Sequence, residues 1–213
     1  MIKVEKIAVY GWEAAIRGMR NPLNSWEKSD SDFSTIICDN GKYVENFIGK
    51  NDLTLAMKLA NAGSDHRKFL RQIIVSMDIT APLYWWKEYD TYKVGTVANS
   101  CSTMHKIHDK EFNLADFSWE CLDEPGLQLL EAIIDYLNYN RYSFNATKDK
   151  KYWHNMIQIL PTSYQQLRTV TLNYEVLRNM YHSRRNHKLG EWRELCKIIE
   201  GLPYSQLITG EEI

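Results

Sequence analysis

The chain lacks a charge of dominant sign, a cysteine pair and a long apolar run. Its 213 residues carry 26 Lys plus Arg against 27 Asp plus Glu. No long-range field gathers polyanions, so an extended nucleic-acid surface is excluded on charge grounds, while a local pocket for one nucleotide is not. The four cysteines, Cys38, Cys101, Cys121 and Cys196, stand far apart with no CxxC spacing and read as reduced thiols of a cytoplasmic protein. The first residues, MIKVEKIAVYGWEAAIRG, meet charge too early for a signal peptide. No apolar run approaches the ~20 residues that span a bilayer. There is no internal repeat and no low-complexity linker, so a single domain over residues 1–213 is expected.

What the chain has in surplus is aromatic side chains. They make up 12% of residues, with 13 Tyr and 7 Trp, and such groups serve cores, interfaces or stacking on flat ligands. Periodicity gives the elements. Lys3–Tyr10 alternates as a strand, and Trp12–Met19 follows as a helix closed by Asn21-Pro22. Asn24–Ser34 is polar and reads as an exposed loop. Asn51 is placed to cap a helix over Asp52–Ala62, with Leu55, Leu59 and Ala62 as its stripe. Ser64 and Asp65 offer a cap for a helix through His66–Arg71. Ile73–Ile79 alternates as a strand with one buried face. Pro82 opens a helix that ends near Tyr92, and Lys106–Gly126 is irregular. Further helices are expected over Leu127–Tyr139, Lys148–Leu160, Tyr174–Arg185 and Gly190–Glu200, with a short extended stretch at Arg168–Leu172. The mixture is an α+β fold.

Two segments carry a family pattern. Ile79-Thr80-Ala81-Pro82 leads into Thr91-Tyr92-Lys93, Thr96 and Asn99-Ser100-Cys101-Ser102-Thr103-Met104-His105. Leu160-Pro161 leads into Thr171-x-Asn173-x-Glu175, followed by Leu177, Asn179, Arg184 and Trp192. Together they resemble the flavin-dependent thymidylate synthases, whose signature is RHRxxSxNExSxRY and, later, TxNxR. The resemblance runs from about Asn51 to Leu207. It implies helices packed on a mostly antiparallel sheet, a homotetramer, and methyl transfer to dUMP using FAD, NADPH and methylenetetrahydrofolate. Lys93, Asn99, Ser102, Asn173 and Arg184 would line the nucleotide or flavin pocket, with His66 and Asn179 supporting it.

The departures from that pattern are chemical. Family arginines that grip phosphate fall on Thr91, Met104 and Glu175 here, and Gln72 stands where a family histidine does. Guanidinium groups suit phosphate because they donate in a fixed, permanently charged fork. Losing one such bond costs about 1.5–3 kcal/mol, and Glu175 is expected to repel a phosphate that arrives in the family manner. Two other outcomes therefore stand beside the methyltransferase. One is a non-enzymatic protein that sequesters a nucleotide or acts through protein contacts. The other is an enzyme for a different nucleotide, with Glu175 and Glu88 meeting amino or hydroxyl groups.

Several clusters have two readings each. Trp85, Tyr89 and Tyr92 share a helix face and either stack on a base or pack in a core or subunit contact. The run Arg178, His182, Arg184, Arg185, His187 and Lys188 either binds phosphate or complements a helix C-terminus. His105-x-x-His108 has metal-ligand spacing but no third ligand, so no metal site is expected. Cys101 is either an inert thiol or a nucleophile without an assignable base.

Overall fold

The computed structural model describes residues 1–38, 41–44 and 46–210, with backbone alone for 35–44, so the Cys38 side chain lies outside the described residues. Strands β1 (Lys3–Tyr10), β4 (Ile74–Pro82), β5 (Val97–Ser100) and β6 (Gln165–Asn173) form a mostly antiparallel sheet in the order β1-β4-β6-β5. A separate antiparallel hairpin joins β2 (Thr35–Cys38) to β3 (Gly41–Val44). The helices are α1 (Trp12–Arg20), α2 (Lys50–Asn61), α3 (Leu83–Tyr89), α4 (Glu124–Thr147), α5 (Lys150–Ile159), α6 (Tyr174–Arg184), α7 (Gly190–Glu200) and the single turn α8 (Gln206–Thr209). Among the described residues no helix is long and apolar enough to cross a membrane. The chain divides into two compact units: Met1–Glu5, Asp78–Thr91 and Ala98–Thr169 in the first, and Lys6–Met77, Tyr92–Val97 and Val170–Ile213 in the second.

The first unit is built on α3 and the α4–α5 pair. Leu130, Ile134 and Leu137 of α4 bury against Ile107, Phe112, Phe117 and Met156. The sequence pattern stops at Tyr139, yet α4 runs on to Thr147. Asp123 caps its start by accepting from Gly126 N–H at 3.0 Å. Its Asn-rich second half is held by tertiary bonds that override weak propensity. Asn140 is fully buried; its Nδ2 donates to Tyr136 O at 2.7 Å, and its Oδ1 accepts from Asn155 Nδ2 at 2.9 Å. Trp85, Trp86 and Tyr89 of α3 are core residues, which settles the two readings of Trp85 and Tyr89 in favour of packing, whereas Tyr92 lies beyond α3 and is half-exposed. Trp86 Nε1 donates to Gln166 O at 3.0 Å, and the Arg168 guanidinium lies 4.2 Å over its ring while pairing with Asp90.

The second unit gathers α1, α2, α6, α7 and α8 around Trp12, Leu70, Tyr174, Leu177, Trp192 and Leu207. Between β1 and α1 the backbone turns at Gly11 with φ +88°, where a Cβ would stand 2.1 Å from Gln72 O. Only glycine meets both demands. The alternation expected for Ile73–Ile79 is present in β4: Val75, Met77 and Ile79 are buried and their neighbours half-exposed.

Helix α2 departs from the sequence expectation. It begins at Lys50, and Asn51 lies inside it rather than capping it. The cap comes from the polar loop upstream, where the Asp30 carboxylate accepts from Asn51 N–H at 2.8 Å and Asp52 N–H at 3.0 Å. Its buried face is Asp52, Ala56 and Ala60 rather than Leu55, Leu59 and Ala62. The helix is rotated because Asp52 faces inward to an ion pair. Arg20 Nε donates to Asp52 Oδ1 at 2.5 Å, and the Ser29 and Ser31 hydroxyls each donate to Oδ2 at 2.6 Å. Arg20 also donates to Ser25 and to Lys28 O. The helix expected over His66–Arg71 is a six-residue 3-10 turn, Arg67–Gln72, without a side-chain cap.

Candidate functional site

The start of α6 is the chemically richest place in the second unit. Asn173 is its N-cap, and its Oδ1 accepts from Val176 N–H at 3.0 Å. Tyr174 N–H donates to Ile73 O at 3.0 Å, so Ile73 and the cap between them satisfy two amides of the first turn at the positive end of the helix dipole. A hollow of about 300 Å³ opens there, lined by Arg71, Val94, Gly95, Asn173, Glu175, Val176 and Asn179. Gly95, at φ +80°, closes the turn after Lys93, and a Cβ on it would come within 3.1 Å of Asn173 Nδ2. Glycine there keeps the hollow open and lets backbone approach the cap.

Glu175 stands on this first turn, but its charge is already met. Arg67 Nε donates to both carboxylate oxygens at 3.0 Å, and the Glu175 side chain is almost wholly buried. The expected repulsion of a phosphate by Glu175 is therefore offset within the chain. Arg71 adds a second guanidinium to the rim. Arg178, on the next turn, is buried and donates to Leu207 O, Ile208 O and Asn61 Oδ1. Burial and the nearby Arg67 charge push its pKa down. Arg178 thus ties down the C-terminal turn α8 and is not part of a solvated phosphate face. Burial, then Arg178 and Arg185, likewise lower the pKa of His182.

The residues singled out from sequence fall as follows. Asn173 and Asn179 share the hollow, and Glu175 lies beside them. Lys93 is exposed in the turn that supplies Val94 and Gly95. Arg184, one helix length away on α6, rests its guanidinium 4.8 Å over Trp192 and donates Nε to Tyr92 OH at 3.1 Å. His66 is exposed and lines a different hollow of about 660 Å³, with Met19, Leu23 and Phe69 among its walls. Asn99 and Ser102 belong to the first unit; both are exposed, Asn99 on β5, and Ser102 Oγ accepts from His105 N–H at 2.8 Å. Arg67 and Arg71 escaped the sequence reading. Their spacing of four in RKFLRQ was the available signal, but it does not name Glu175 as the counter-charge.

Cys196 is buried on α7, and burial pushes its thiol up to about 11, whereas Cys101 and Cys121 are exposed. In a Cys38→Ser protein, an aromatic disulfide reagent at pH 8 is expected to titrate two thiols at once. The third should appear only on unfolding, because the thiolate is the reacting form. Three fast thiols would contradict the placement of Cys196.

No family profile matches the chain, and no curated protein matches it by sequence. Solved structures do. Thymidylate synthase X from Helicobacter pylori, crystallised with FAD and dUMP, superposes with a TM-score of 0.69 at 17% identity, covering 98% of each chain. A second structure of the enzyme from that organism, also complexed with FAD and dUMP, gives 0.67 at 17% identity, over 96% of this chain and 98% of the other. The UMP/dUMP methylase PolB from Streptomyces cacaoi, bound with 5-Br dUMP, gives 0.60 at 12% identity, over 94% of this chain and 89% of the other. Across nearly its whole length this chain has the fold of the flavin-dependent thymidylate synthases.

Proposed function

We propose that the chain binds a nucleotide-type ligand on this scaffold, with the anionic part of the ligand at the start of α6. One observation carries the proposal: an Asn-capped helix start opens into a hollow that Arg71 and Asn179 share and that Gly95 keeps clear. The positive end of a helix dipole, the Arg71 guanidinium and the unbranched backbone at Gly95 together suit a phosphate. That all three neighbours were solved with dUMP or its bromo analogue supports a pyrimidine deoxynucleotide. Methyl transfer belongs to this proposal only together with bound FAD, and NADPH and methylenetetrahydrofolate only with the full family reaction. The same reading carries a cytoplasmic homo-oligomer, with residues 1–213 acting as one functional domain.

A second reading, a protein that sequesters a nucleotide without catalysis, is favoured by one arrangement. The carboxylate at the position of the family arginine is consumed by Arg67, and Thr91 and Met104 offer no charge.

Thermal shift with dUMP, UMP and FAD separates the two. At a ligand concentration of 100 times Kd, binding adds about 2.7 kcal/mol to stability. A shift with dUMP is expected, and Arg71→Gln should weaken it about tenfold or more, as for a lost charged hydrogen bond of about 1.5–3 kcal/mol. Stoichiometric flavin absorbance in the purified protein supports the methyltransferase. Colourless protein that dUMP shifts supports sequestration, and protein that no nucleotide shifts removes both readings.

A further inference from the structure

Glu175 is the second residue of α6, and Asn179 follows it one turn later on the same face. Both line the hollow at the helix start, together with Arg71 from the turn Arg67–Gln72. Of the three arginines beside this helix start, two are already engaged. Arg67 holds Glu175, and Arg178 holds Leu207 O, Ile208 O and Asn61 Oδ1. Arg71 is left for the anion of a ligand.

Glu175 suits a different part of the ligand. It is 7% exposed, and the single Arg67 Nε–H is shared between its two oxygens at 3.0 Å each. Among the described residues no other group donates to this carboxylate. A carboxylate has room for about four hydrogen bonds. Most of its acceptor capacity therefore stays open, on a group too buried to be fully hydrated. Such an acceptor takes an O–H from a ligand and turns away a second anion.

We propose that Glu175 accepts the sugar 3′-hydroxyl of a nucleoside 5′-monophosphate whose phosphate lies on Arg71, so that the hollow selects ligands with that hydroxyl free. The inference rests on the proposed binding of an anion at the start of α6, and it assigns what recognises the neighbouring sugar. The hollow measures about 300 Å³, at the lower limit of small-molecule sites, with room for a phosphate and a pentose. On the pentose, the 3′-hydroxyl stands on the carbon next to the one that bears the phosphate arm. A nucleotide held by its 5′-phosphate thus presents this hydroxyl close by. The chemistry is complementary as well: Arg71 only donates, Glu175 only accepts, and Asn179 does both. Val94, 92% exposed at the rim, adds an apolar edge for the sugar face. Arg67 has the supporting part. By meeting the charge of Glu175 it lets a phosphate settle beside a carboxylate that would otherwise repel it.

Isothermal titration calorimetry on the wild-type protein tests this, with dUMP set against its 2′,3′-dideoxy counterpart. dUMP is expected to bind about tenfold tighter or more, because the missing hydroxyl leaves a buried acceptor unpaired. Deoxyuridine 3′,5′-bisphosphate should bind no better than the dideoxy compound. Removing the ion pair as a whole, Arg67→Met with Glu175→Met, strands no charge. It should bring dUMP and the dideoxy compound within about twofold of each other, since the acceptor is gone. A purely structural role would weaken both nucleotides alike and keep their ratio. Equal binding of the two by wild-type protein overturns the proposal and leaves the anion site standing. So does a paired variant that still discriminates as the wild type does. Inorganic phosphate that binds as tightly as dUMP assigns the hollow to a bare anion and overturns it too. Wild-type protein that binds no nucleotide removes the anion site itself, and the proposal with it.

Discussion

Asp52→Ala is expected to remove about 3–5 kcal/mol of stability, read as a shift of the urea midpoint by far-UV circular dichroism. Asp52 is fully buried and Arg20 nearly so, so the substitution strands a guanidinium away from water. It also takes the acceptor from Ser29, Ser31 and the Asp30 N–H. For a protein whose total stability lies in the usual range of about 5–15 kcal/mol, that is a large fraction. Replacing both partners, Arg20→Met with Asp52→Leu, should recover much of the loss, since apolar isosteres need no counter-charge. The double-mutant cycle then isolates the coupling. A single change without effect would mean that Asp52 is not buried against Arg20 in solution.

The same carboxylate predicts acid sensitivity. Burial pushes the Asp52 pKa up, but the Ser29 and Ser31 hydroxyls and the Arg20 guanidinium outweigh it and hold the group below its ordinary value. Its folded pKa therefore lies under the unfolded value of about 3.9. The stabilisation it supplies is complete above that pH and is lost as pH falls through the folded pKa. Asp52→Asn should flatten the acid limb of the stability curve below about pH 4, and an unchanged limb would count against the ion pair.

Trp192→Ala is the second large effect, with an expected loss of about 3–5 kcal/mol. Trp192 is fully buried, edge-on to Tyr92 at 5.9 Å and beneath the Arg184 guanidinium at 4.8 Å. Truncation leaves a void in a fully buried site that its neighbours cannot fill without moving. It also frees Arg184 from the surface that orients it. Trp192→Phe keeps most of the contact and should cost under half as much. Arg184→Gln, by contrast, removes a half-exposed cation and should change stability by about 1 kcal/mol or less. If Arg184→Gln proves as destabilising as Trp192→Ala, the guanidinium is the anchor and the ring is passive.

The sequence was most informative where burial follows period alone, as in β4 with its two-residue rhythm. β1 and α7 have the bounds that alternation and the Gly201 stop suggested, although burial along β1 does not alternate. Two elements were misread because their determinants lie elsewhere in the chain. The α2 stripe was assigned to leucines, but Asp52 turns inward to Arg20, 32 positions earlier, and no local hydrophobic pattern encodes that. The second half of α4 depends on Asn140 meeting Asn155 across a helix pair. In the hollow, Asn173 and Asn179 were legible through the family pattern. Arg67, 108 positions from Glu175, was not, because a counter-ion leaves no trace in the local sequence of either member.

The Glu175–Arg67 pair also constrains what position 175 can hold. An arginine there, as in the resembled pattern, would set two guanidiniums face to face at the distance of the present salt bridge. Exchange at 175 is tolerated only together with a change at residue 67, so the two positions act as a single unit of substitution.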